Sequence, residues 1–249
     1  MLVDEIKEDN TRGKEHPLSI IINDTVKVFT DLGFEVAMGP ELEDIYHNFD
    51  ALNVPKDHPA RDMQDTFYIK PASLSQGGGE TEKVLRTHTS SVQIRFMEEF
   101  AKSGKKPPFA IIAPGKVFRN EATDATHEMQ FYQIEGLVVG ENINMANLKG
   151  VLSAFHKKLL GDDVNLRFRP SFFPFTEPSI EFDLNYKGRW MEIGGAGMVH
   201  PSVLEKCGID PDKYQGFAFG LGFERLMVIK YVIPDIRYTY HGDLRFNQF

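Results

Sequence analysis

KVFRNEATDATHEMQFYQIEG, residues 116–136, predicts more of the architecture than any other stretch, because it has the pattern of a β-hairpin. Valine, isoleucine and aromatic residues stand on both sides of turn-forming residues at 122–126. Since side chains in a strand alternate between two faces, one face of this hairpin collects a set of polar residues. The members of that set are Arg119, Glu121, Gln133 and Glu135.

This polar set allows two interpretations. An exposed sheet face with ordinary cross-strand ion pairs is the commoner arrangement. An exposed face would not, however, need the apolar residues that surround the set. The spacing therefore favours the floor of a ligand site, and the exposed face stays the alternative.

Composition places the chain among soluble globular proteins. It has 249 residues, 41% hydrophobic and 26% charged, which can bury one substantial core, with one domain as well supported as two. No apolar run approaches the roughly 20 residues that a membrane helix needs, and the charged N-terminus does not resemble a signal peptide. The single cysteine, Cys207, excludes an internal disulfide framework and fits a reducing compartment. We therefore expect a cytoplasmic protein that does not contact membranes.

The net charge bears on partners. At −8 it argues against a surface that binds nucleic acid throughout. It leaves room for a local basic groove, or for a partner chain that carries the positive surface.

Periodicity predicts helices between groups of strands. Helical spacing predicts helices over 17–32, from Thr89 or Ser90 to Gly104, over 145–160 and over 224–231. Strand patterns fall at 34–38, 67–70, 109–113, 165–169, 180–186, 189–193 and 217–219. Hairpins rather than βαβ units join most strands, which predicts an α+β fold with a mainly antiparallel β-sheet flanked by helices.

Two regions beside these elements carry their own expectations. Residues 1–15 are charged and lack periodicity, so we expect a linker ahead of the domain. After the strand at 189–193, Gly194, Gly195 and Gly197 allow close backbone approach or bends.

Residues 220–225, GLGFER, connect a strand to a helix through small residues. Their glycine spacing matches neither a P-loop nor a dinucleotide-binding fingerprint. Arg225 falls in the first helical turn, where backbone N–H groups and the helix dipole favour an anion. A phosphate tail could bind there, and an ion pair with an acidic neighbour is the alternative.

Two further stretches carry groups suited to a pocket. His88, Ser90 and Gln93 lie at a predicted helix start, where capping and a solvated face are the alternative role. Residues 172–179, FFPFTEPS, combine two prolines, three aromatic residues and Glu177 in a loop. That loop either packs on the core or forms the wall of an apolar pocket, with Glu177 facing a cation or a metal.

Taken in order, the motifs resemble those of class II aminoacyl-tRNA synthetases, and within that class the catalytic alpha subunits of bacterial phenylalanyl-tRNA synthetases. GFEVAMGPELE (33–43) is similar to motif 1, FRNE with FYQIEG (118–136) to motif 2, and GLGFERL (220–226) to motif 3. Signatures such as LRTHTSSVQIR, RPSFFPFTEPS and GMVHP fill the intervals. The resemblance begins near His16 and implies a class II catalytic domain over 16–249.

The chain departs from the family pattern at a few positions. Tyr132 stands where the family usually has histidine, Ala196 where it usually has cysteine, and Ser91 where proline or asparagine is frequent. Family members usually carry an N-terminal helical-hairpin arm that contacts tRNA. Residues 1–15 take its place here, so we expect that arm to be absent or truncated.

The resemblance implies ATP-dependent activation of L-phenylalanine to phenylalanyl-adenylate, followed by transfer of the acyl group to tRNA(Phe). Both steps would depend on positioning and charge neutralisation. Arg119 would hold the α-phosphate, Arg225 the γ-phosphate, and Phe131 would stack on adenine. The residues implied to contact ATP are Arg119, Glu121, Phe131, Gly222 and Arg225.

The resemblance also implies an amino-acid site and a metal site. The residues implied to contact phenylalanine are His88, Ser90, Gln93, Glu121, Gln133, Glu135, Phe173, Phe175 and Ala218. The polar members would bind the ammonium group, with the roles of Glu121, Gln133 and Glu135 left undivided. The apolar members would surround the ring, with Ala218 setting the depth of the pocket. Glu177 resembles the family's magnesium ligand, and Mg²⁺ would bridge phosphate oxygens.

A partner chain follows from the expected selectivity. An apolar pocket rejects an added hydroxyl group by only about 10²-fold, so tyrosine would need to be removed at an editing site. Nothing in the chain resembles a hydrolytic editing domain, which assigns that task to a beta subunit in a tetramer of two alpha and two beta chains.

Two other functions stay open on the sequence. One is a paralogue that activates another amino acid on the same scaffold, and the pocket aromatics speak against it. The other is a non-catalytic tRNA-binding or scaffolding module, and the presence of both Arg119 and Arg225 speaks against that.

Overall fold

The computed structural model describes residues 14–63, 65–69, 82–120, 128–186, 188–233, 235–240 and 242, with only the backbone of Arg189. The helices are α1 (Pro17–Asp31), α2 (Ser90–Lys102), α3 (Met145–Leu160), α4 (Pro201–Lys206) and α5 (Phe223–Tyr231). The strands are β1 (Glu35–Val36), β2 (Leu42–Asp44), β3 (Tyr68–Ile69), β4 (Lys83–Leu85), β5 (Phe109–Phe118), β6 (Gln130–Gly140), β7 (Asn165–Phe173), β8 (Thr176–Tyr186), β9 (Arg189–Val199) and β10 (Gln215–Gly222). A π-helical segment (Tyr46–Asp50) and two 3₁₀ segments (Pro59–Arg61 and Ile236–Thr239) complete the set. Within the described ranges, no helix combines the length and apolar character that crossing a bilayer requires.

A seven-stranded sheet carries the fold, in the order β1-β5-β6-β10-β9-β8-β7. Only the short pairing of β1 with β5 is parallel, and every other pairing in this sheet is antiparallel. A second antiparallel sheet of three short strands has the order β2-β4-β3. The prediction of an α+β fold with a mainly antiparallel sheet is confirmed.

The large sheet separates two apolar clusters. One cluster packs α1, α3 and α5 against one face, and its members include Phe29, Phe155, Phe219 and Leu226. The other packs α2 and α4 against the opposite face, and its members include Met97, Leu137 and Val203. Because Leu137 belongs to the second cluster and strand residues alternate, the side chains of Gln133 and Glu135 lie on the α2 face of β6.

The central hairpin is longer than its sequence pattern predicts. The strand predicted at 109–113 and the first strand of the hairpin form one strand, β5, which continues through Pro114. The carbonyl of Ile112 accepts a hydrogen bond from Ala37 N at 2.8 Å on the β1 side. Pro114 faces that same side beyond the end of β1, so its missing N–H leaves no ladder bond unmade.

The glycines after residue 193 do not end a strand, because β9 runs through them to Val199. A Cβ atom on Gly194 would lie 2.1 Å from the carbonyl oxygen of Gly220, and one on Gly195 would lie 2.6 Å from the ring of Phe173. Of the two roles expected for these glycines, close approach is therefore the one that the structure shows.

Residues 172–179 form less of a loop than expected. Strands β7 and β8 extend into the segment and leave a tight turn, with Phe173 paired to Thr176. The hydroxyl group of Ser179 stabilises this turn, since it accepts a hydrogen bond from Phe173 N at 3.1 Å and donates to the carbonyl of Thr176 at 2.8 Å.

Candidate active site

A cavity of about 550 Å³ opens on the α2 face of the large sheet. Strands β6, β8, β9 and β10, the β7–β8 turn and the starts of α2 and α5 surround it. The predicted site residues that line it are His88, Ser90, Gln93, Arg119, Phe131, Gln133, Glu135, Phe173, Phe175, Ala218, Gly222 and Arg225. Glu121 lies outside the described residues.

A buried polar cluster forms where α2 meets β6. The hydroxyl group of Ser90 donates to Glu135 Oε2 at 2.5 Å, and Gln93 Nε2 donates to the same oxygen at 3.2 Å. Ser90 is the first residue of α2, and Thr89 at the N-cap makes no side-chain capping bond. The side chains at this helix start therefore contact the cavity cluster rather than a solvated face or a cap.

Burial shifts the pKa values of two groups that line the cavity in opposite directions. Desolvation raises the pKa of Glu135 to about 7, although the Ser90 hydrogen bond acts to lower it. Desolvation, with Arg119 nearby, lowers the pKa of His88 to about 4, so its ring is neutral at pH 7. The cluster can therefore bind a cation without repulsion from a charged imidazole.

Three buried side-chain atoms of the cavity wall lack a hydrogen-bond partner within the described part of the chain. They are His88 Nδ1, Gln133 Oε1 and Glu224 Oε2. The neutral His88 ring carries one N–H group, so Nδ1 can accept a hydrogen bond in the tautomer that is protonated at Nε2. Because buried polar atoms are usually paired, unpaired acceptor atoms in the wall of the cavity that Glu135 also lines indicate a ligand that donates hydrogen bonds.

The two arginines lie on different elements of the cavity wall. The Arg119 guanidinium follows β5 and lies over the Phe131 ring, with its Cζ atom 5.0 Å from the ring centroid. Arg225, in the first turn of α5, donates to the Glu192 carbonyl oxygen at 2.8 Å and approaches Glu192 Oε1 at 3.4 Å. The acidic neighbour considered for Arg225 is thus present, and the arginine side chain is still half exposed.

An aromatic wall closes one side of the cavity. The rings of Phe173 and Phe175 are nearly parallel, with centroids 6.0 Å apart. Small residues face this wall: Ala218 on β10, and Gly220, where a Cβ atom would lie 3.2 Å from both Gln133 Nε2 and Glu135 Cγ. Small side chains at these two positions keep room beside the polar cluster.

Glu177 lies on β8 beside the β7–β8 turn, and its role as a magnesium ligand stays a prediction. It is absent from the cavity lining, and its side chain is 76% exposed with its carboxylate 3.5 Å from His200 Nε2. The register of β8 against β9 shifts between Thr176 and Ser179, so alternation counted along the chain does not give the direction of this side chain.

Sequence reasoning missed several cavity residues. Glu224 is buried and accepts hydrogen bonds from Tyr132 N at 2.8 Å and from the Tyr240 hydroxyl group. Burial raises its pKa to about 7. In the sequence, the position of Glu224 next to Arg225 was the feature that could have indicated its place in the cavity. The other lining residues that were not predicted include Phe49, Val54, His58, Glu181 and Glu192.

Comparisons with known proteins agree with this geometry. A family model described as the class II core domain of tRNA synthetases (F) matches residues 3–249. Phenylalanine–tRNA ligase alpha subunits of Bacillus mycoides (strain KBAB4), Bacillus cytotoxicus and Bacillus cereus (strain B4264) are each 53% identical to the chain over 248 residues. Each alignment covers 95% of this chain and 68% of the relative.

Proposed function

The chain belongs to the class II aminoacyl-tRNA synthetases, in the family of phenylalanine–tRNA ligase alpha subunits, and on that premise we propose how its cavity activates phenylalanine. The reaction is attack of the phenylalanine carboxylate on the α-phosphate of ATP, which forms phenylalanyl-adenylate and releases pyrophosphate. A terminal ribose hydroxyl group of tRNA(Phe) then takes the acyl group. The observation that carries the proposal is one cavity that combines a buried acceptor cluster, an aromatic wall and two arginines.

The acceptor cluster binds the substrate ammonium group. An ammonium group offers three donors, and Glu135, Gln133 Oε1 and His88 Nδ1 offer acceptors in the same cavity. Ser90 and Gln93 fix the Glu135 carboxylate from the α2 side. A bound ammonium group favours the ionised carboxylate, so the complex forms with Glu135 charged.

The aromatic wall binds the substrate ring. Phe173 and Phe175 supply parallel apolar faces, and Ala218 limits the depth of the pocket. These groups offer no hydrogen bond to a para-hydroxyl group, so the pocket discriminates against tyrosine by only about 10²-fold.

The arginines bind the ATP phosphates. Arg119 neutralises the charge that builds on the α-phosphate, and Arg225 holds the far end of the triphosphate at the start of α5. Phe131 supplies the surface on which adenine stacks. Because the Arg119 guanidinium lies over one face of that ring, adenine takes the other face or Arg119 moves to the phosphate as ATP binds.

Magnesium is typical of this enzyme class, and we propose Glu177 as a ligand of the ion, with carboxylates of the cavity wall as further candidates. Glu181 and Glu192 line the cavity and lie 3.4 and 3.7 Å from Arg169 Nη2, so the two carboxylates are close together. Carboxylate oxygens are the protein ligands that Mg²⁺ prefers. When bound, the ion supplies charge neutralisation to the phosphate oxygens.

A partner chain completes the enzyme. The name alpha subunit, which the relatives carry, supports a second kind of subunit, and we assign tRNA binding and removal of tyrosine mainly to it. We propose two copies of each chain in the assembly. Large exposed apolar side chains at Val36, Met38 and Leu42 support burial of this region against another chain.

Phenylalanine-dependent exchange of pyrophosphate into ATP tests this function. The chain, co-expressed with its partner subunit, should show exchange with L-phenylalanine and none without it. Arg119→Gln should reduce the rate by at least about 10²-fold, as expected for loss of a charge-stabilising group. An assembled complex that shows no phenylalanine-dependent exchange would exclude the proposal.

A further inference from the structure

Arg86 is a buried cation that the proposed reaction leaves without a role. It lies between β4 and α2, two residues before His88, and is 4% exposed. Desolvation lowers its pKa. A buried arginine usually has a carboxylate partner. Among the described residues, the hydrogen bonds of the Arg86 side chain go to backbone carbonyl groups, and Glu41, Glu43 and Glu135 act on it through charge alone.

Backbone carbonyl groups take the place of that carboxylate. Arg86 Nε donates to the carbonyl oxygen of Lys116 at 2.7 Å. On its other side, Nη1 donates to the carbonyl oxygens of Gly39 and Pro40 at 3.1 and 3.3 Å. The fork geometry of a guanidinium group allows one side chain to join these two segments.

The backbone of Arg86 binds the same two segments. Its N–H group donates to the carbonyl oxygen of Glu41 at 2.9 Å, and its carbonyl oxygen accepts from Phe118 N at 2.9 Å. Phe118 is the last residue of β5, immediately before Arg119. One residue therefore ties the 39–41 segment to the strand end from which Arg119 extends.

Gly115 provides the space that this arrangement needs. A Cβ atom at this position would lie 2.2 Å from Arg86 Nη2 and 3.1 Å from its Cζ atom. Even an alanine side chain would therefore displace the guanidinium group from β5.

We propose that Arg86 is a positioning residue for amino-acid activation, which fixes Arg119 relative to the Ser90–Glu135 cluster by holding β5, the 39–41 segment and the start of α2 together. The proposal rests on the proposed function of the cavity. Arg86 acts through Arg119 and does not contact the substrates. Its loss should therefore lower kcat more than it changes the KM for phenylalanine.

Matched Arg→Lys exchanges test this role. Arg86→Lys replaces the guanidinium fork by one ammonium group, which cannot reach both segments. The kcat for pyrophosphate exchange should fall about tenfold or more, while the KM for phenylalanine stays within about threefold of the wild-type value. Arg95→Lys is the control, because Arg95 binds the buried Glu43 carboxylate through Nε and Nη2 at 2.7 Å but does not line the cavity. It should lose stability and keep kcat within about twofold of wild type.

Gly115→Ala supplies a second variant that keeps the arginine. It should lower kcat as Arg86→Lys does, and the double variant should lose little more, because both changes break the same contact. A wild-type kcat in Arg86→Lys, or equal losses in Arg86→Lys and Arg95→Lys, would overturn the proposal.

Hydrogen exchange gives a readout that does not depend on catalysis. The amide of Phe118 should exchange faster in Arg86→Lys than in the wild type or in Arg95→Lys, and equal protection in all three would also overturn the proposal. If the wild-type complex shows no phenylalanine-dependent exchange of pyrophosphate, the proposed function fails, and the amide protection still decides whether Arg86 holds the end of β5.

Discussion

Single residues set the chemistry of the cavity through burial. Glu135 and His88 line one cavity, and desolvation moves the pKa of the acid up to about 7 and that of the base down to about 4. Near neutral pH the cluster can change from a neutral to an anionic site by loss of one proton. Affinity for an ammonium group should therefore depend on pH in the physiological range.

Ionisation of Glu135 should therefore produce a step in the pH profile of phenylalanine activation. Because only ionised Glu135 attracts the ammonium group, kcat/KM for phenylalanine should fall about tenfold per pH unit below a midpoint near pH 7. Glu135→Gln should abolish this step and lower kcat/KM at pH 8. Glu224 also has a pKa of about 7, so Glu224→Gln serves as the control and should keep the step. If the step in the pH profile disappears in Glu224→Gln and persists in Glu135→Gln, its assignment to Glu135 is contradicted.

The same shift predicts an effect on stability. The folded-state pKa of Glu135 lies above its ordinary value, so its stabilising contribution is present at low pH and is lost as pH rises through about 7. Glu135→Gln, which cannot ionise, should therefore gain stability relative to wild type between pH 5 and pH 8, on the order of 2 kcal/mol. Urea unfolding at both pH values measures the free energy of unfolding of the two proteins. If the difference between them is the same at pH 5 and pH 8, the prediction is refuted.

Ala218 tests the depth of the aromatic pocket. Removal of its methyl group in Ala218→Gly should extend the pocket toward the para position of the substrate ring. Exchange supported by para-chlorophenylalanine should then rise above background, while exchange with phenylalanine persists. If the analogue stays inactive in this variant, Ala218 does not form the floor of the pocket.

Strand pairing decides which side chains reach the cavity, and β10 shows this at the scale of an element. Its pairing with β6 sets Gly220 opposite Glu135, where a side chain would crowd the cluster. The pairing ends at Gly222 opposite Gln133, and beyond it the Glu224 side chain accepts the hydrogen bond of Tyr132 N. The end of β10 and the start of α5 therefore both hold β6 in position.

A pair of Gly→Ala exchanges tests the role of β10. Gly220→Ala places a Cβ atom 3.2 Å from Gln133 Nε2 and Glu135 Cγ, so it should raise KM for phenylalanine about tenfold with a smaller effect on kcat. Gly150→Ala is the control, because nothing lies within 4 Å of its Cβ position inside α3. That variant should keep KM and gain up to about 1 kcal/mol of stability from better helix propensity. Equal KM values in the two variants would argue against crowding of the cluster.

At the scale of the whole molecule, the chain combines the cavity with exposed apolar side chains suited to contact other chains. Met38 is 76% exposed, and it lies between β1 at the sheet edge and β2. Exposed apolar side chains of this kind are typical of interaction surfaces.

The assembly prediction follows from these surfaces and from the family. When the chain is purified from its own cells, a larger chain should co-purify in equal amount. Native mass spectrometry should then give two copies of each chain. A chain that is fully active as an isolated monomer would contradict this prediction.

Local pattern was sufficient for a large part of the fold and of the site. The helix at 145–160 has the predicted limits, and the alternation along the hairpin sets Arg119, Gln133 and Glu135 around one cavity. Both results depend on the fixed periods of helices and strands, which neighbouring residues reveal without knowledge of the rest of the chain. The motif resemblance could then add His88, Ser90, Phe173 and Ala218, which are distant in sequence.

Contacts between distant segments were beyond such reasoning. The bond of Ser90 to Glu135, the pairing of Arg225 with Glu192 and the carbonyl contacts of Arg86 depend on strand order and register. The position of Glu177 outside the cavity depends on a register shift in β8, which the alternation of residues in the sequence does not predict. The raised and lowered pKa values arise from burial, and burial exists only once the sheet, the helices and the turn are packed together.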